Sequence, residues 1–173
     1  DRIIGLPSSG LHSNGYSLAR KVLLEHLKLD LEATPPELGG RTLGEALLAP
    51  TRIYAKELLE LRRSGATLRA MSHITGGGLV GNVPRTLPAD TRAVLDASTW
   101  EMPGLFRLIQ AGGNVAWDEM LRTFNLGIGF TVVVPASEVE SSVTFLRDRG
   151  IDAREIGAIE AGEGDATCEV RGL

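Results

Sequence analysis

Short apolar strands alternate with helical stripes along the whole of this chain, and that alternation constrains its fold more than any other feature. Ile128–Val134 is the clearest strand, an apolar, β-branched run bounded by Gly127 and Pro135. Shorter strands are predicted at residues 2–6, closed by Pro7 and the turn Ser8-Ser9-Gly10, and at 68–74, 92–95 and 153–159, with an edge strand over Thr167–Arg171. Between them lie apolar residues at helical spacing: Tyr16, Ala19, Leu23 and Leu27, with Ser13 or Asn14 as the N-cap, and Tyr54, Leu58 and Leu61 after Pro50. The same spacing recurs in Val139, Val143 and Leu146. Further helices are predicted at 43–48, from 78 through Arg85, after Pro103, at 117–124 and at 137–149, with Gly65 and Gly150 as helix ends. Residues 30–41, rich in Pro and Gly, read as a surface loop. The class implied is α+β or α/β, helices packed on a mixed sheet.

At 173 residues the chain fits one domain with one continuous core. Apolar residues make up 43% and charged residues 23%, which is the balance of a chain that folds. Acidic residues outnumber basic ones, 22 against 18, so the net charge of −4 offers no general attraction to nucleic acid or an anionic membrane. An anionic ligand therefore needs a local site. No apolar run reaches the roughly 18–20 residues of a membrane span and the start is no signal peptide, so a soluble, non-exported, cytoplasmic protein is expected. The chain opens without Met inside an apolar strand, and a preceding segment is expected. Cys168 is the one cysteine, which leaves no internal disulfide, and it reads as a strand residue.

Three segments place glycines and small polar residues where strands or helices meet loops. They are Ser8-Ser9-Gly10-Leu11-His12-Ser13-Asn14-Gly15, Thr75-Gly76-Gly77-Gly78 and Asn125-Leu126-Gly127-Ile128-Gly129. Glycine allows close backbone approach, so successive N–H groups can converge on an anion such as phosphate. Glycine-rich turns are also ordinary in α/β folds, and neither a Walker A pattern nor G-x-G-x-x-G is present. His12 and His73 stand beside these loops, where an imidazole can donate to phosphate or shuttle a proton. His26 reads as a packing residue, and three histidines so dispersed give no metal spacing. Thr51 and Arg52, read as a helix start after Pro50, form a further candidate oxyanion site, the alternative being a cap and a solvated charge. Ser17 and Arg20 lie one turn apart and project together. Asp96, Glu101, Asp118 and Glu119 read as solvated, and Trp100 and Trp117 as core or interface residues.

In these loops the spelling is specific. Residues 8–20, SSGLHSNGYSLAR, resemble the opening of the C-terminal domain of aminoimidazole ribonucleotide synthetases, the phosphoribosylformylglycinamidine cyclo-ligase family. Residues 43–54, LGEALLAPTRIY, 73–79, HITGGGL, and 123–129, TFNLGIG, resemble the later motifs of that family in the same order. In the family pattern Glu precedes the Asn that follows the glycine triplet, where this chain has Gly81 before Asn82, and Ala49 stands where Thr is usual. The resemblance implies a mixed sheet flanked by helices, partly ferredoxin-like, spanning residues 1–173 as a single C-terminal domain. An N-terminal ATP-binding and dimerisation domain would lie outside this chain.

It implies ATP-dependent closure of the imidazole ring of formylglycinamidine ribonucleotide, with Mg²⁺ ligands mainly in that other half and a homodimer as the working form. The resemblance assigns Ser9, Gly10, Ser13, Asn14, Gly15, Arg20, Thr51, Arg52, Thr75, Gly76, Gly77, Gly78 and Asn125 to substrate or phosphate binding, with His12 and His73 as catalytic candidates. The competing readings are another member of the superfamily (selenophosphate synthetase, thiamine monophosphate kinase or a hydrogenase maturation factor) and a phosphate-ligand module without catalysis.

Overall fold

The computed structural model describes residues 1–173. Its strands are β1 (Arg2–Pro7), β2 (Ala70–His73), β3 (Thr91–Asp96), β4 (Ile128–Val134), β5 (Arg154–Ala161) and β6 (Thr167–Arg171). Its helices are α1 (Tyr16–Arg20), α2 (Leu43–Leu47), α3 (Ala55–Arg63), α4 (Gly78–Asn82), α5 (Gly104–Gly113), α6 (Trp117–Thr123) and α7 (Val139–Arg147). The strands form one sheet in the order β2-β4-β1-β5-β3-β6, antiparallel throughout except for the parallel pair β3–β6. Taken in chain order, β1-α3-β2-β4-α7-β5 is a βαββαβ unit in the spatial order β5-β1-β4-β2, the ferredoxin-like arrangement. β3 and β6 extend that unit at one edge, and the other helices are inserted after β1 and after β2.

Alternation along the strands decides which face each side chain serves. Ile4 pairs with Val132 on one face, where both join Leu6 and Val134 beneath Leu58 and Leu61 of α3 and Leu146 of α7. Ile3 pairs with Val133 on the other face, among Ala93, Leu95, Leu79 and Val83. A register shift at Leu6/Pro7 moves Ile128 onto this second face, out of phase with Val132. A third apolar cluster joins Leu23, Leu43, Phe106, Ile109 and Phe124 among the inserted helices. Each of these fully buried side chains contributes roughly 1.5–3 kcal/mol relative to exposure.

Ile128–Val134 and Thr167–Arg171 form as the sequence predicts, and Gly65 and Gly150 follow their helices with φ of 98° and 76°. Several expectations change, among them the helix expected from 78 through Arg85, which is α4 followed by a 3₁₀ turn over Val83–Thr86, and the single continuous core, which divides into three clusters. The N-cap of α1 is Gly15 at φ 75° without a side-chain cap, because Asn14 is turned toward the glycine triplet. α1 runs on as a π-helix over Lys21–His26, and His26 is exposed instead of packed. The strand expected over 68–74 narrows to Ala70–His73. Finally, α3 begins only at Ala55, so Thr51 and Arg52 lie in a segment without regular secondary structure instead of a helix start. α2 also carries a capping box that the sequence reading passed over: Glu45 N–H donates to Thr42 Oγ1 at 3.1 Å and Thr42 N–H to Glu45 Oε2 at 2.8 Å.

Candidate functional site

Because β4 lies between β1 and β2, the sheet gathers the three glycine-bearing segments at one end. β1 leads into the loop with His12, β2 ends on His73 and the triplet, and the turn at Asn125 precedes β4. Asn125 is the strut between them. Its Oδ1 accepts from Ser8 Oγ and from Gly127 N–H, both at 2.9 Å, and its Nδ2 donates to the Gly10 carbonyl at 2.9 Å. It is 2% exposed. Its amide thereby holds two loops in register.

His12 adopts φ 56°, a left-handed conformation uncommon outside glycine, and is buried. Ser9 N–H donates to its Nε2 at 3.2 Å, so the neutral ring carries its proton on Nδ1, which is buried without a partner. Burial, and secondarily the neighbouring His73, holds its pKa down at about 4. The ring is therefore neutral at physiological pH. His73 is exposed at the end of β2, its ring 6.2 Å from those of both His12 and Tyr54 and stacked on Phe130 at 5.9 Å.

Tyr54 completes the cluster. It is buried, and its hydroxyl donates to the Pro7 carbonyl at 2.8 Å while burial pushes its pKa up against a smaller lowering by Arg52. Gly129 makes room for the pair: a Cβ there would stand 2.0 Å from the Tyr54 hydroxyl and 2.5 Å from His12 Cε1. The sequence reading gave Tyr54 only a place in the apolar stripe of α3, and the one further signal for it was its position at the end of the TRIY motif.

The segment before α3 packs beside the first loop. Ser9 Oγ donates to the Pro50 carbonyl at 2.5 Å, and Ser13 Oγ lies 3.3 Å from Thr51 Oγ1. Arg52 donates to the Gly150 carbonyl at 3.3 Å, with its guanidinium 6.0 Å from the Tyr54 ring centre. A cavity of about 570 Å³, largely apolar, opens between Arg52, Tyr54, Met71, His73 and Phe130.

The glycine triplet is braced from within. Asn82 Nδ2 donates to the carbonyls of Thr75, Gly76 and Gly78 at 3.2, 3.3 and 2.7 Å, and Thr75 Oγ1 donates to Asn82 Oδ1 at 3.1 Å. Asn14 Oδ1 stands 3.7 Å from where a Cβ on Gly76 would lie, which brings the first loop over the triplet. Gly15 and Gly78 answer to packing: a Cβ would lie 2.2 Å from a Phe124 ring carbon in one case and 1.9 Å from the Leu121 carbonyl in the other.

Ser17 and Arg20 are exposed on α1, and neither side chain forms a hydrogen bond or ion pair within the chain. Asp96 is held below the usual carboxylate range by bonds from Ser98, and Glu101, Asp118 and Glu119 are exposed. Trp100 is buried with its indole N–H on the Leu126 carbonyl at 3.0 Å. Burial, with Glu169 second, pushes the Cys168 thiol up to about 12, which keeps it protonated and unreactive.

Fold and cleft together define a class: an α+β domain on a ferredoxin-like core whose loops collect hydroxyls, amides, imidazoles and glycine N–H groups at one end of the sheet. Residues 1–168 match the family described as AIR synthase related protein, C-terminal domain, and the chain belongs to that family. It is 55% identical over 98% of its length to a phosphoribosylformylglycinamidine cyclo-ligase of Anaeromyxobacter sp. (strain Fw109-5), covering 48% of that protein. It is 53% identical over 98% of its length to the protein of the same name from Myxococcus xanthus (strain DK1622), covering 49% of it. The chain thus spans about half the length of the curated relatives it matches. Among solved structures, thiamine-monophosphate kinase from Stenotrophomonas maltophilia K279a shares the fold, with a TM-score of 0.61 and 18% identity over 99% of this chain and 50% of that one. No helix is long and apolar enough to cross a membrane.

Proposed function

We propose that this chain is the C-terminal domain of an ATP-dependent phosphoribosylformylglycinamidine cyclo-ligase that acts in the cytoplasm in purine biosynthesis. In this reading it is joined to an N-terminal ATP-binding domain and works as a homodimer. The observation that carries the reading is the identity of more than half the residues, over nearly the whole chain, with proteins bearing that name. ATP transfers its terminal phosphoryl group to the formyl oxygen of formylglycinamidine ribonucleotide, forming a phosphoryl imidate and ADP. A substrate nitrogen then attacks that carbon, the C–O bond breaks, phosphate leaves and the nitrogen's proton passes by way of His73 to solvent, giving aminoimidazole ribonucleotide.

The part assigned to this chain is to bind and orient the ribonucleotide. Thr75 and the triplet Gly76 to Gly78, with Asn14, Ser13, Thr51 and Arg52, supply the anion-binding face. Ser9, Gly10, Gly15 and Asn125 hold the shape of the loops. His73, exposed on the cleft, is the candidate for moving the proton during closure. His12, neutral and buried behind it, acts by fixing the Ser8–Gly10 turn. The side chains facing the triplet are amides, a hydroxyl and a guanidinium, and the chain has no cluster of three His, Cys, Asp or Glu side chains. That donor set does not fit Mg²⁺, which takes carboxylate and phosphate oxygens, so its ligands are assigned to the other domain.

Steady-state assays on the complete polypeptide test this reading. ATP consumption should depend on formylglycinamidine ribonucleotide and yield aminoimidazole ribonucleotide, with His73→Ala reducing turnover by about 10²-fold, as expected for loss of a proton-transfer group. ATP use without that nucleotide, or full activity in both His73→Ala and Arg52→Ala, would refute it.

A further inference from the structure

In the sequence Arg85 stands at the end of a predicted short helix. In the structure it has a defined target. It lies in the 3₁₀ segment Val83–Thr86 that follows α4, and that segment is firmly held. Val83 is buried in the second-face cluster, Pro84 restricts the backbone, and Thr86 Oγ1 and Leu87 N–H donate to the Val83 and Pro84 carbonyls, both at 3.0 Å. From there the side chain folds back across the glycine triplet, its Nη2 3.5 Å from where a Cβ on Gly77 would lie. Asn14 stands over the neighbouring Gly76 in the same way. The guanidinium is exposed and takes part in none of the chain's seven ion pairs.

Asn82 meanwhile engages the carbonyls of Thr75, Gly76 and Gly78. Their negative ends are thereby occupied on the inner side, beside a turn whose outer side carries a free cation. The turn consequently combines a planar five-donor cation, a glycine backbone that a side chain would obstruct, and the amides of Asn14 and Asn82 as its nearest other side chains. That combination suits the dianion of a phosphate monoester without a metal, more than the Mg²⁺-bound polyphosphate of ATP.

We propose that Arg85 is a phosphate-binding residue, and that the Thr75–Gly78 turn it covers takes the phosphate monoester of the ribonucleotide substrate while ATP binds elsewhere. This rests on the cyclo-ligase reading and adds which substrate meets the triplet. The guanidinium forms a charge-assisted hydrogen bond to a phosphate oxygen over Gly77.

The test uses the complete polypeptide with Arg85→Ala and Arg85→Lys, measuring KM for each substrate separately and checking each variant's fold by circular dichroism. Arg85→Ala should raise KM for formylglycinamidine ribonucleotide by about 10- to 100-fold, the range expected for one hydrogen bond to a charged group, and leave KM for ATP within about twofold. Arg85→Lys, which keeps the charge and loses the fork, should fall between Arg85→Ala and wild type. An unchanged KM for the ribonucleotide in a folded Arg85→Ala protein would overturn the proposal, as would a rise confined to ATP. Should Arg85→Ala fail to fold, Arg85→Lys with wild-type KM for the ribonucleotide would overturn it equally. An active wild type with either of those outcomes refutes the Arg85 assignment alone, whereas a wild type that makes no aminoimidazole ribonucleotide refutes the cyclo-ligase reading beneath it.

Discussion

His12 concentrates the physical chemistry of the cleft in one side chain. A buried imidazole that spends its Nε2 lone pair on Ser9 N–H has no ready place for a second proton, and the His73 ring 6.2 Å away opposes a positive charge there. The sign of the stability effect follows from its lowered pKa. Between 6.5, the ordinary value, and about 4 in the folded chain, the unfolded state binds the proton and the folded state does not. Stability should be fully present above 6.5 and should fall as the pH drops through this window. Urea unfolding midpoints at pH 7 and pH 5 measure the effect, and His12→Gln, which keeps an acceptor for Ser9 but cannot titrate, should show a smaller loss. An equal loss in both proteins would place the dependence on other groups. Asn125 and Asn82 act at the same scale through their amides, Asn125 tying the Ser8–Gly10 segment to Gly127 with three hydrogen bonds and Asn82 bracing the single turn Thr75–Gly78 with four.

Elements were legible in the sequence where one physical signal dominated. The β-branched run of β4 and the stripe Leu58, Leu61 of α3 announce themselves because a single buried face selects them. The start of α3 did not, since Pro50 is equally suited to a first helical turn and to an irregular segment. The outcome rests on Ser9 and Ser13, some 40 residues earlier, which bond to Pro50 and Thr51. The cap of α1 was misplaced for a similar reason: Asn14 is directed to Gly76, a partner brought near only by the pairing of β1 and β2 with β4. Loop residues of the site could be picked out by type, but the cluster of His12, Tyr54 and His73 depends on strand order, which no local pattern encodes. The capping box of α2 is a local device, and its contribution can be isolated. Thr42→Ala should cost about 1 kcal/mol in a denaturant titration with the slope unchanged, and a loss under about 0.3 kcal/mol would mean that packing of Leu43 and Leu47 alone holds the helix.

On the scale of the whole molecule, a chain of net charge −4 presents one end of its sheet as a set of neutral and positive donors. The ferredoxin-like core puts β1 and β2 on either side of β4, and so brings loops distant in the sequence, with His12 in one and His73 beside another, to the same place. The relatives it matches are about twice as long, which leaves room for the second domain that the proposed division of labour requires. The most direct test is a structure of the complete polypeptide with formylglycinamidine ribonucleotide bound. Its 5′-phosphate should lie within hydrogen-bond distance of the Gly76 and Gly77 N–H groups and of the Arg85 guanidinium, with His73 facing the formylglycinamidine end. A ribonucleotide bound with its phosphate elsewhere, or the triplet occupied by the phosphates of ATP, would contradict the assignment.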